Sequence, residues 1–280
     1  MGLIAVSGAT GRLGGRIAWR LAAAGTPQRL VVRDPGRAPR LPGATVAGAD
    51  YGDPVALRRA LEGAGTVVMV SAPETPDRVD RHRNFVDAAV AAGVRHLVYT
   101  SFMGAAPDAV FTLARDHWAT EEHIRASGLE FTFLRDSLYA DFLPFMVSAD
   151  GVIRGPARDG RAAVVAQDDV ADVAVAVLRD PTAHARCTYD LTGPEALNFA
   201  EIAAIITAVT GRTVTYYDEA LDEAYASRAA YGAPDWQLEA WVSTYTSVAA
   251  GELSTVSPAV EQLSGHPATS LAQLLAAGVG

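Results

Sequence analysis

The sequence predicts an α/β fold in which a doubly wound parallel sheet carries helices on both faces. Three observations support this. Short apolar segments alternate with amphipathic ones through residues 1–150, glycines such as Gly25, Gly93 and Gly128 end the amphipathic segments, and further glycines separate the first apolar segment from the first helix. Strands that alternate with helices in this way pair in parallel, so their carboxyl ends meet along one edge, where ligands bind.

The elements of residues 1–150 follow in regular order. Residues 3–6 form a short apolar strand, and residues 14–24 place apolar side chains at helical spacing before Gly25. Asp53 and Pro54 open the next helix as N-cap and first-turn residue. Buried strands are also predicted at residues 30–32, 45–47, 66–70, 96–100 and 130–134, and helices at residues 77–92 and 114–126.

The alternation of strands and helices loosens beyond Arg135. Short strands are predicted at residues 151–153 and 162–165 and a helix at residues 168–179. A strand at residues 188–191, a helix from Asn198 and a strand at residues 213–217 form a further βαβ-like unit, and the chain is mostly helical from Leu221 onward. The sequence therefore predicts a larger α/β domain over residues 1–150 and a smaller C-terminal α/β lobe over residues 151–280, some segments of which return to the first domain.

Composition narrows the kind of partner. The formal net charge is −9, without long acidic or basic runs, which argues against nucleic acids and anionic membranes and favours a small-molecule partner. Cys187 is the only cysteine, which excludes an intrachain disulfide and fits a reducing compartment. No segment reaches the ~18 apolar residues of a membrane span, and the chain start is not a signal peptide, so we expect a cytoplasmic protein, either monomeric or homodimeric.

The absence of lysine excludes several mechanisms. All 23 cationic residues are arginine. Schiff-base chemistry, a phosphate-binding loop lysine and the Tyr-x-x-x-Lys pair of short-chain dehydrogenases each need an ammonium group that arginine does not replace. A nucleotide-sugar epimerase or dehydratase of the lysine-dependent kind is excluded for the same reason.

The glycine cluster predicts a Rossmann-type site for the pyrophosphate of a dinucleotide. Gly8, Gly11 and Gly14 lie between a strand and a helix, within Gly8-Ala9-Thr10-Gly11-Arg12-Leu13-Gly14. In this context the three glycines allow a tight turn, a close approach of the backbone to phosphate, and packing of the helix on the strand. The alternative is an ordinary strand-to-helix turn in which the glycines occur by chance.

The end of the second strand favours NADP(H) as the cofactor. At this position an arginine accommodates the 2′-phosphate of NADP(H), whereas a carboxylate binds the ribose 2′-hydroxyl of NAD(H). Arg33 occupies the position here. Asp34 follows immediately, so NAD(H) remains an alternative, and Arg12 offers a second charge for the phosphate. Arg33 could otherwise be a solvated surface residue.

Polar and small residues follow the remaining strands and are further candidates for cofactor contacts. They are Asp50 and Tyr51 after the third strand, Ser71, Ala72 and Pro73 after the fourth, and Thr100 and Phe102 at the end of the fifth. Asp, Ser and Pro are also common in turns for local reasons, which is the alternative for these positions.

Candidate catalytic residues are Ser101, His117 and Tyr139. Ser101 could donate a hydrogen bond to a substrate carbonyl beside the nicotinamide, and His117 stands four residues before Glu121, a spacing that suits a proton relay or an ordinary helix surface. Tyr139 and Phe142, with Met103, could wall a flat apolar pocket, although aromatic residues more often form core. No cluster of histidines and carboxylates indicates a metal site.

Six segments together carry a family resemblance: 8–14, 32–35, 49–51, 98–101, 127–135 and 193–195. With them the chain resembles the NmrA-like, atypical short-chain dehydrogenases, within the branch of quinone and triphenylmethane reductases. The resemblance implies NADPH contacts from Gly8, Thr10, Gly11, Leu13 and Arg33, and a flat, electron-poor substrate such as a quinone. The chain departs from the branch at residues 135–139, where an asparagine and a glycine are expected before the tyrosine.

These observations predict an NADPH-dependent oxidoreductase that transfers hydride to a quinone-like acceptor. Ser101 or Tyr139 would hydrogen-bond the acceptor, because a quinone that gains hydride becomes aromatic and needs no strong general acid. The alternative is a non-catalytic redox sensor, as some NmrA-like relatives are, which would share the dinucleotide site.

Overall fold

The computed structural model describes residues 2–278. Within that range the strands are β1 Leu3–Ser7, β2 Gln28–Val32, β3 Ala44–Gly48, β4 Ala64–Met69, β5 His96–Phe102, β6 Glu130–Asp136, β7 Val152–Gly155, β8 Cys187–Leu191 and β9 Thr215–Asp218. The α-helices are α1 Arg12–Ala23, α2 Pro54–Leu61, α3 Arg78–Ala91, α4 Thr112–Ala126, α5 Gln167–Arg179, α6 Phe199–Thr210, α7 Leu221–Ala229, α8 Asp235–Ala249, α9 Ala259–Ser264 and α10 Leu271–Gly278. Short 3-10 helices cover Pro35–Arg37, Ala140–Met146 and Pro181–His184.

Seven strands form one sheet in the order β3-β2-β1-β4-β5-β6-β8, which confirms the predicted Rossmann-type fold. The pairs β2–β3, β1–β2, β1–β4 and β4–β5 are parallel. Val6 of β1 lies opposite Leu30 on one side and Val68 on the other. The chain order reverses between β1 and β4, so the loops after these two strands leave in opposite directions and open a crevice at their carboxyl ends.

The core explains why these segments fold as they do. A strand of a parallel sheet is covered on both faces and therefore needs apolar residues along its whole length. β1 has such a run, in which Ile4, Ala5 and Val6 are at most 2% exposed. Asp53 precedes α2 as its N-cap, and its carboxylate accepts hydrogen bonds from the Val55 and Ala56 amides. These caps and buried runs could be predicted from the sequence because each depends on neighbouring residues alone.

The chain forms two compact units. Within the described range, the first comprises residues 2–102, 116–135 and 167–189, and the second comprises residues 103–115, 136–166 and 190–278. The chain therefore passes between the units several times. The predicted boundary at residue 150 stays a prediction.

Three local predictions were wrong. β3 is present but is not buried, since Val46 is 45% exposed. Residues 162–165 form no continuous strand; Ala162 makes an isolated antiparallel bridge with Leu197, and Val165 a parallel one with Tyr139. The run is buried, as predicted, but its residues bond to different segments, so no ladder forms. The expected βαβ-like unit is also absent from the described residues, because β8 extends the large sheet whereas β9 pairs with β7 in a separate two-stranded sheet.

Candidate functional site

The glycine loop after β1 leaves no room for a side chain at position 14. Gly8 has φ +64°, in the left-handed region, and its carbonyl oxygen accepts a hydrogen bond from the Gly11 amide at 2.8 Å. A Cβ at Gly14 would overlap this carbonyl oxygen and lie 2.8 Å from the carbonyl oxygen of Ser7. α1 therefore rests directly on the loop, which only glycine at position 14 permits.

The first turn of α1 is suited to bind an anion. α1 begins after Gly11, which has no side chain to cap the helix, whereas Asp53 and Asn198 cap α2 and α6 with their side chains. The first-turn amides of α1 are thus left to other acceptors. Because helix N-termini carry a partial positive charge, a phosphate group is the acceptor that this arrangement favours.

A cavity of about 330 Å³ lies against this loop within the first unit. Nine of the residues predicted to contact the cofactor line it: Gly8, Thr10, Gly11, Arg33, Asp50, Tyr51, Ser71, Ala72 and Pro73. The other five lie outside the lining: Arg12, Leu13 and Gly14 in the first turn of α1, and Thr100 and Phe102 on β5. The topology alone thus brought together residues from four separate loops.

Ser7 and Tyr51 close the crevice between β1 and β4. The Ser7 hydroxyl accepts a hydrogen bond from the Val70 amide at 2.9 Å. The Tyr51 hydroxyl lies 2.6 Å from Ser7 Oγ and 2.8 Å from the Val70 carbonyl oxygen, and can donate to either. Burial raises the pKa of Tyr51, so it remains protonated. Sequence reasoning missed Ser7, although a polar residue at the end of a buried strand is a usable signal.

The charged side of the cavity carries two arginines. Arg33 follows β2 and lines the cavity, whereas Asp34 Oδ1 accepts the Gly36 amide at 2.9 Å and caps a 3-10 helix. Arg81, which sequence reasoning missed, also lines it and donates to Asp50 Oδ1 at 3.0 Å. The Asp34 carboxylate, which would favour a free ribose hydroxyl, is therefore used locally. Arg81 is paired with Asp50 and with Asp77, so the positive charge at the cavity comes from Arg33.

Side chains from α3 and β5 hold the segment that follows β4. Thr100 Oγ1 accepts the Ser71 amide at 2.9 Å. His82 Nε2 accepts the Ala72 amide at 2.8 Å, and Arg78 Nε donates to the Ala72 carbonyl oxygen at 2.9 Å. Both polar groups of the Ala72 backbone are thus bound by buried side chains, which fixes this wall of the cavity.

The Arg78 guanidinium also determines the state of His117. Arg78 Nη2 lies 2.9 Å from His117 Nε2, and because a guanidinium only donates, Nε2 carries no proton. The proton is then on Nδ1, which donates to the Tyr99 hydroxyl at 2.9 Å. Burial, together with the Arg78 charge, lowers the pKa of His117 well below its usual value. His117 is therefore neutral near pH 7.

Ser101 is bound to a buried carboxylate. Its hydroxyl donates to Glu121 Oε1 at 2.6 Å, and Ser101 is 2% exposed. Glu121, fully buried, also accepts hydrogen bonds from Arg125 at 2.9 Å and from Arg135 at 2.7 Å. The spacing of His117 and Glu121 on α4 thus does not decide their partners, because each is bound by residues from other turns or elements.

Tyr139 lies in the second unit with a buried acid. Its hydroxyl donates to Asp136 Oδ2 at 2.6 Å, and Asp136 is 2% exposed. Burial raises the pKa of Asp136 to about 8, against the opposing effect of this hydrogen bond. Within residues 2–278, Asp136 Oδ1 is buried without a hydrogen-bond partner. The Phe142 ring lies 6.0 Å from that of Tyr139, and the buried Met103 donates its amide to the Asp136 carbonyl oxygen.

The described part of the chain holds neither a cluster of metal ligands nor a membrane-spanning helix. In residues 2–278, no three histidine, cysteine, aspartate or glutamate side chains come together as a metal ion would need. Among the helices of the same range, none has both the length and the apolar character to span a bilayer.

Comparison with known sequences gives consistent matches. A model of the NmrA-like family matches residues 1–238. Quinone oxidoreductase 2 of Escherichia coli (strain K12) is 34% identical over 280 residues, covering 97% of this chain and 96% of the relative. NAD(P)H azoreductase of Xenophilus azovorans is 31% identical over 276 residues, covering 97% and 96%.

Solved structures agree with the sequence matches. The crystal structure of an Escherichia coli NADPH-dependent quinone oxidoreductase complexed with NADPH matches with a TM-score of 0.90 and 32% identity, over 99% of this chain and 100% of that one. NmrA, a negative transcriptional regulator in complex with NAD, matches with a TM-score of 0.76 and 19% identity, over 98% and 94%. The second likeness shows the fold alone.

Proposed function

The chain belongs to the NmrA-like family, and from this premise we propose that it is an NADPH-dependent reductase that transfers hydride to a quinone-like or other flat, electron-poor acceptor. The observation that carries the proposal is the cavity against the glycine loop, to which Arg33 contributes a positive charge. Relatives named as quinone and azo reductases match along almost the whole chain, which supports the same conclusion.

The residues at the cavity fit NADPH. The cradle at Gly14, which a Cβ would fill, and the first turn of α1 suit the pyrophosphate. Arg33 suits the 2′-phosphate, and the Asp34 carboxylate is already bound to Gly36. We therefore assign NADP(H) rather than NAD(H) as the cofactor.

We propose that Tyr139 provides the hydrogen bond to the acceptor. When bound, NADPH supplies a hydride, and a quinone then needs one proton to become a hydroquinone. Asp136 positions the Tyr139 hydroxyl at 2.6 Å and, with a pKa raised by burial, can carry a proton near pH 7. When Asp136 is protonated, it donates to the Tyr139 oxygen instead of accepting from it, which frees the Tyr139 proton for the acceptor. The Asp136 proton then replaces the one that Tyr139 has given up, so the pair needs no lysine.

We propose positioning roles for Ser101 and His117. The Ser101 proton is held by Glu121, and donation to an acceptor would require that strong hydrogen bond to break. His117 is neutral, buried and bound on both ring nitrogens, which does not suit a proton donor near pH 7. Both residues instead fix β5 and the cavity wall that Arg78 supports.

Steady-state turnover tests the proposed activity. Purified protein with NADPH should oxidise the cofactor in the presence of 1,4-naphthoquinone, and Tyr139→Phe should lower kcat more than it changes the KM for NADPH. NADPH oxidation no faster than in protein-free controls, with any of a panel of quinones, would contradict the reductase. NADPH binding without any turnover would favour the redox sensor instead.

We also propose that the reaction needs no partner other than a small molecule. We propose that it takes place in a reducing cytoplasm. The net charge of −9 and the single Cys187 support this. Exclusion of nucleic acid is checked by a binding assay at low salt, in which no retention is expected. Whether the chain forms a homodimer stays a prediction, which sedimentation would decide.

A further inference from the structure

A second cavity, of about 620 Å³, lies within the second unit and shares no lining residue with the first. Aromatic rings provide much of its wall: Phe145 from a 3-10 helix, Tyr231 after α7, and Trp241 and Tyr245 from α8. Its volume is in the range of small-molecule sites, roughly 300–1,000 Å³. We call it the aromatic pocket.

The Tyr245 ring is a fixed part of this wall. It lies so close to Gly155 that a Cβ there would overlap it, and its centroid is 5.1 Å from the Phe199 ring and 5.1 Å from the Arg228 guanidinium carbon. Tyr245 is 7% exposed. A backbone glycine, a ring and a cation thus hold one aromatic surface in place, as a preorganised site requires.

Two other rings of the aromatic pocket are exposed to solvent. Tyr231 is 76% and Phe145 is 72% exposed, the two highest values among the exposed large hydrophobic side chains of residues 2–278. Trp241 stands perpendicular to Tyr231, with ring centroids 5.9 Å apart. Large rings exposed around one cavity indicate a surface that a ligand covers, because their apolar area is otherwise left in water.

The charges at the aromatic pocket are neutralised within the protein. Arg228 Nη1 lies 2.7 Å from Glu219, and Arg154 Nη2 lies 2.6 Å from Asp150. Each lining cation therefore has its own carboxylate and exerts a weak field on the cavity. An uncharged ligand complements this pocket better than an anion, which would have to compete with both carboxylates.

We propose that the aromatic pocket binds uncharged, planar aromatic molecules of about two to three rings, against Tyr231, Trp241 and Tyr245. Ring stacking and edge contacts supply the affinity, and the paired arginines set the preference for an uncharged ligand. The aromatic pocket shares no lining residue with the cavity at the glycine loop, so this inference does not depend on NADPH binding.

The test measures binding to cofactor-free protein by titration calorimetry. The probes are 2-naphthol, which is uncharged at pH 7, and naphthalene-2-sulfonate, which has the same rings and a negative charge. Tyr231→Ala and Trp241→Leu should each weaken 2-naphthol binding about tenfold or more. The matched control is Tyr225→Ala, which removes an exposed tyrosine on α7 outside the pocket and should change the Kd less than about twofold.

Three results would overturn the proposal: no binding of 2-naphthol to the wild-type protein, equal loss in Tyr225→Ala and Tyr231→Ala, or clearly tighter binding of the sulfonate. Tyr231 is largely exposed, so its variant is expected to fold even if Trp241→Leu does not. Because NADPH is absent, failure here leaves the reductase proposal standing, and quinone turnover is measured separately.

Discussion

At the scale of single residues, Gly14 decides whether α1 can approach the loop after β1. Gly14→Ala should lower NADPH affinity at least about tenfold and destabilise the fold by about 1–3 kcal/mol, because its Cβ overlaps the Gly8 carbonyl oxygen. The matched control is Gly15→Ala, whose Cβ would reach only the Ala9 carbonyl oxygen, at 3.3 Å. Fluorescence titration with NADPH and urea unfolding measure the two effects. Equal affinities for both variants would contradict this view of the loop.

Arg33 is expected to distinguish the two nicotinamide cofactors. Arg33→Gln should weaken NADPH binding about 10–100-fold and NADH binding little. Only NADPH has a 2′-phosphate, and the substitution removes the charge-assisted hydrogen bond to that group. Arg37→Gln is the control, since Arg37 is an exposed arginine of the neighbouring 3-10 helix and does not line the cavity. An unchanged ratio of the two Kd values in Arg33→Gln would show that another residue selects the cofactor.

Asp136 should make stability depend on pH. Burial raises its pKa from 3.8 to about 8, so folding favours the protonated form. The stabilisation is complete below about pH 4 and is lost as the pH rises through about 8. Urea unfolding at several pH values should show a decline toward pH 8 that Asp136→Asn removes. Parallel pH profiles for wild type and variant would mean that Asp136 is ionised in the folded protein.

Residues with local signals were the ones that could be predicted. The spacing of Gly8, Gly11 and Gly14 predicts a phosphate-binding loop. The position of Arg33, directly after a strand, predicts a charge at the same edge of the sheet. Arg78 and Arg81 could not be predicted, because their partners lie on other elements and their spacing on α3 resembles an ordinary charged helix face. For the same reason the sequence could not show that Arg78 keeps His117 neutral.

At the scale of elements, α3 fixes the loop after β4 through His82 and Arg78. His82→Leu would leave the half-buried Ala72 amide without its acceptor, which should cost about 1–3 kcal/mol of stability and raise the Kd for NADPH. His123→Leu is the control: it removes a surface histidine paired with Asp87 and should change both quantities little. Equal effects of the two substitutions on the Kd would contradict a role for α3 in the site.

The pattern of apolar residues did not predict where β5 and β6 end. Both strands run two residues beyond their predicted ends, to Phe102 and Asp136. Polar residues at these ends resemble loop residues in the sequence, yet Ser101 and Asp136 are buried by their contacts with Glu121 and Tyr139. Only tertiary contacts, which lie 20 residues apart for Ser101 and Glu121, make these positions part of the strands.

At the scale of the whole molecule, the alternation of elements was enough to predict the large sheet. Of the strands β1 to β6, four (β1, β3, β4 and β5) are followed by an α-helix, and right-handed crossovers then leave few strand orders. The later strands could not be assigned in this way. β8 and β9 look alike in sequence, but the first joins the large sheet and the second pairs with β7, because their partners are set by long-range contacts.

The central claim is that the cavity against the glycine loop holds NADPH for transfer of its hydride to a quinone. The most direct test is a single mixing experiment, in which a preformed complex of protein and NADPH, followed by nicotinamide fluorescence, meets excess 1,4-naphthoquinone. We expect saturable NADPH binding, tighter than that of NADH, and then a rapid loss of fluorescence that yields NADP⁺ in an amount equal to the bound cofactor. Absence of NADPH binding, or a stable complex whose fluorescence the quinone leaves unchanged after correction for absorption, would contradict the account.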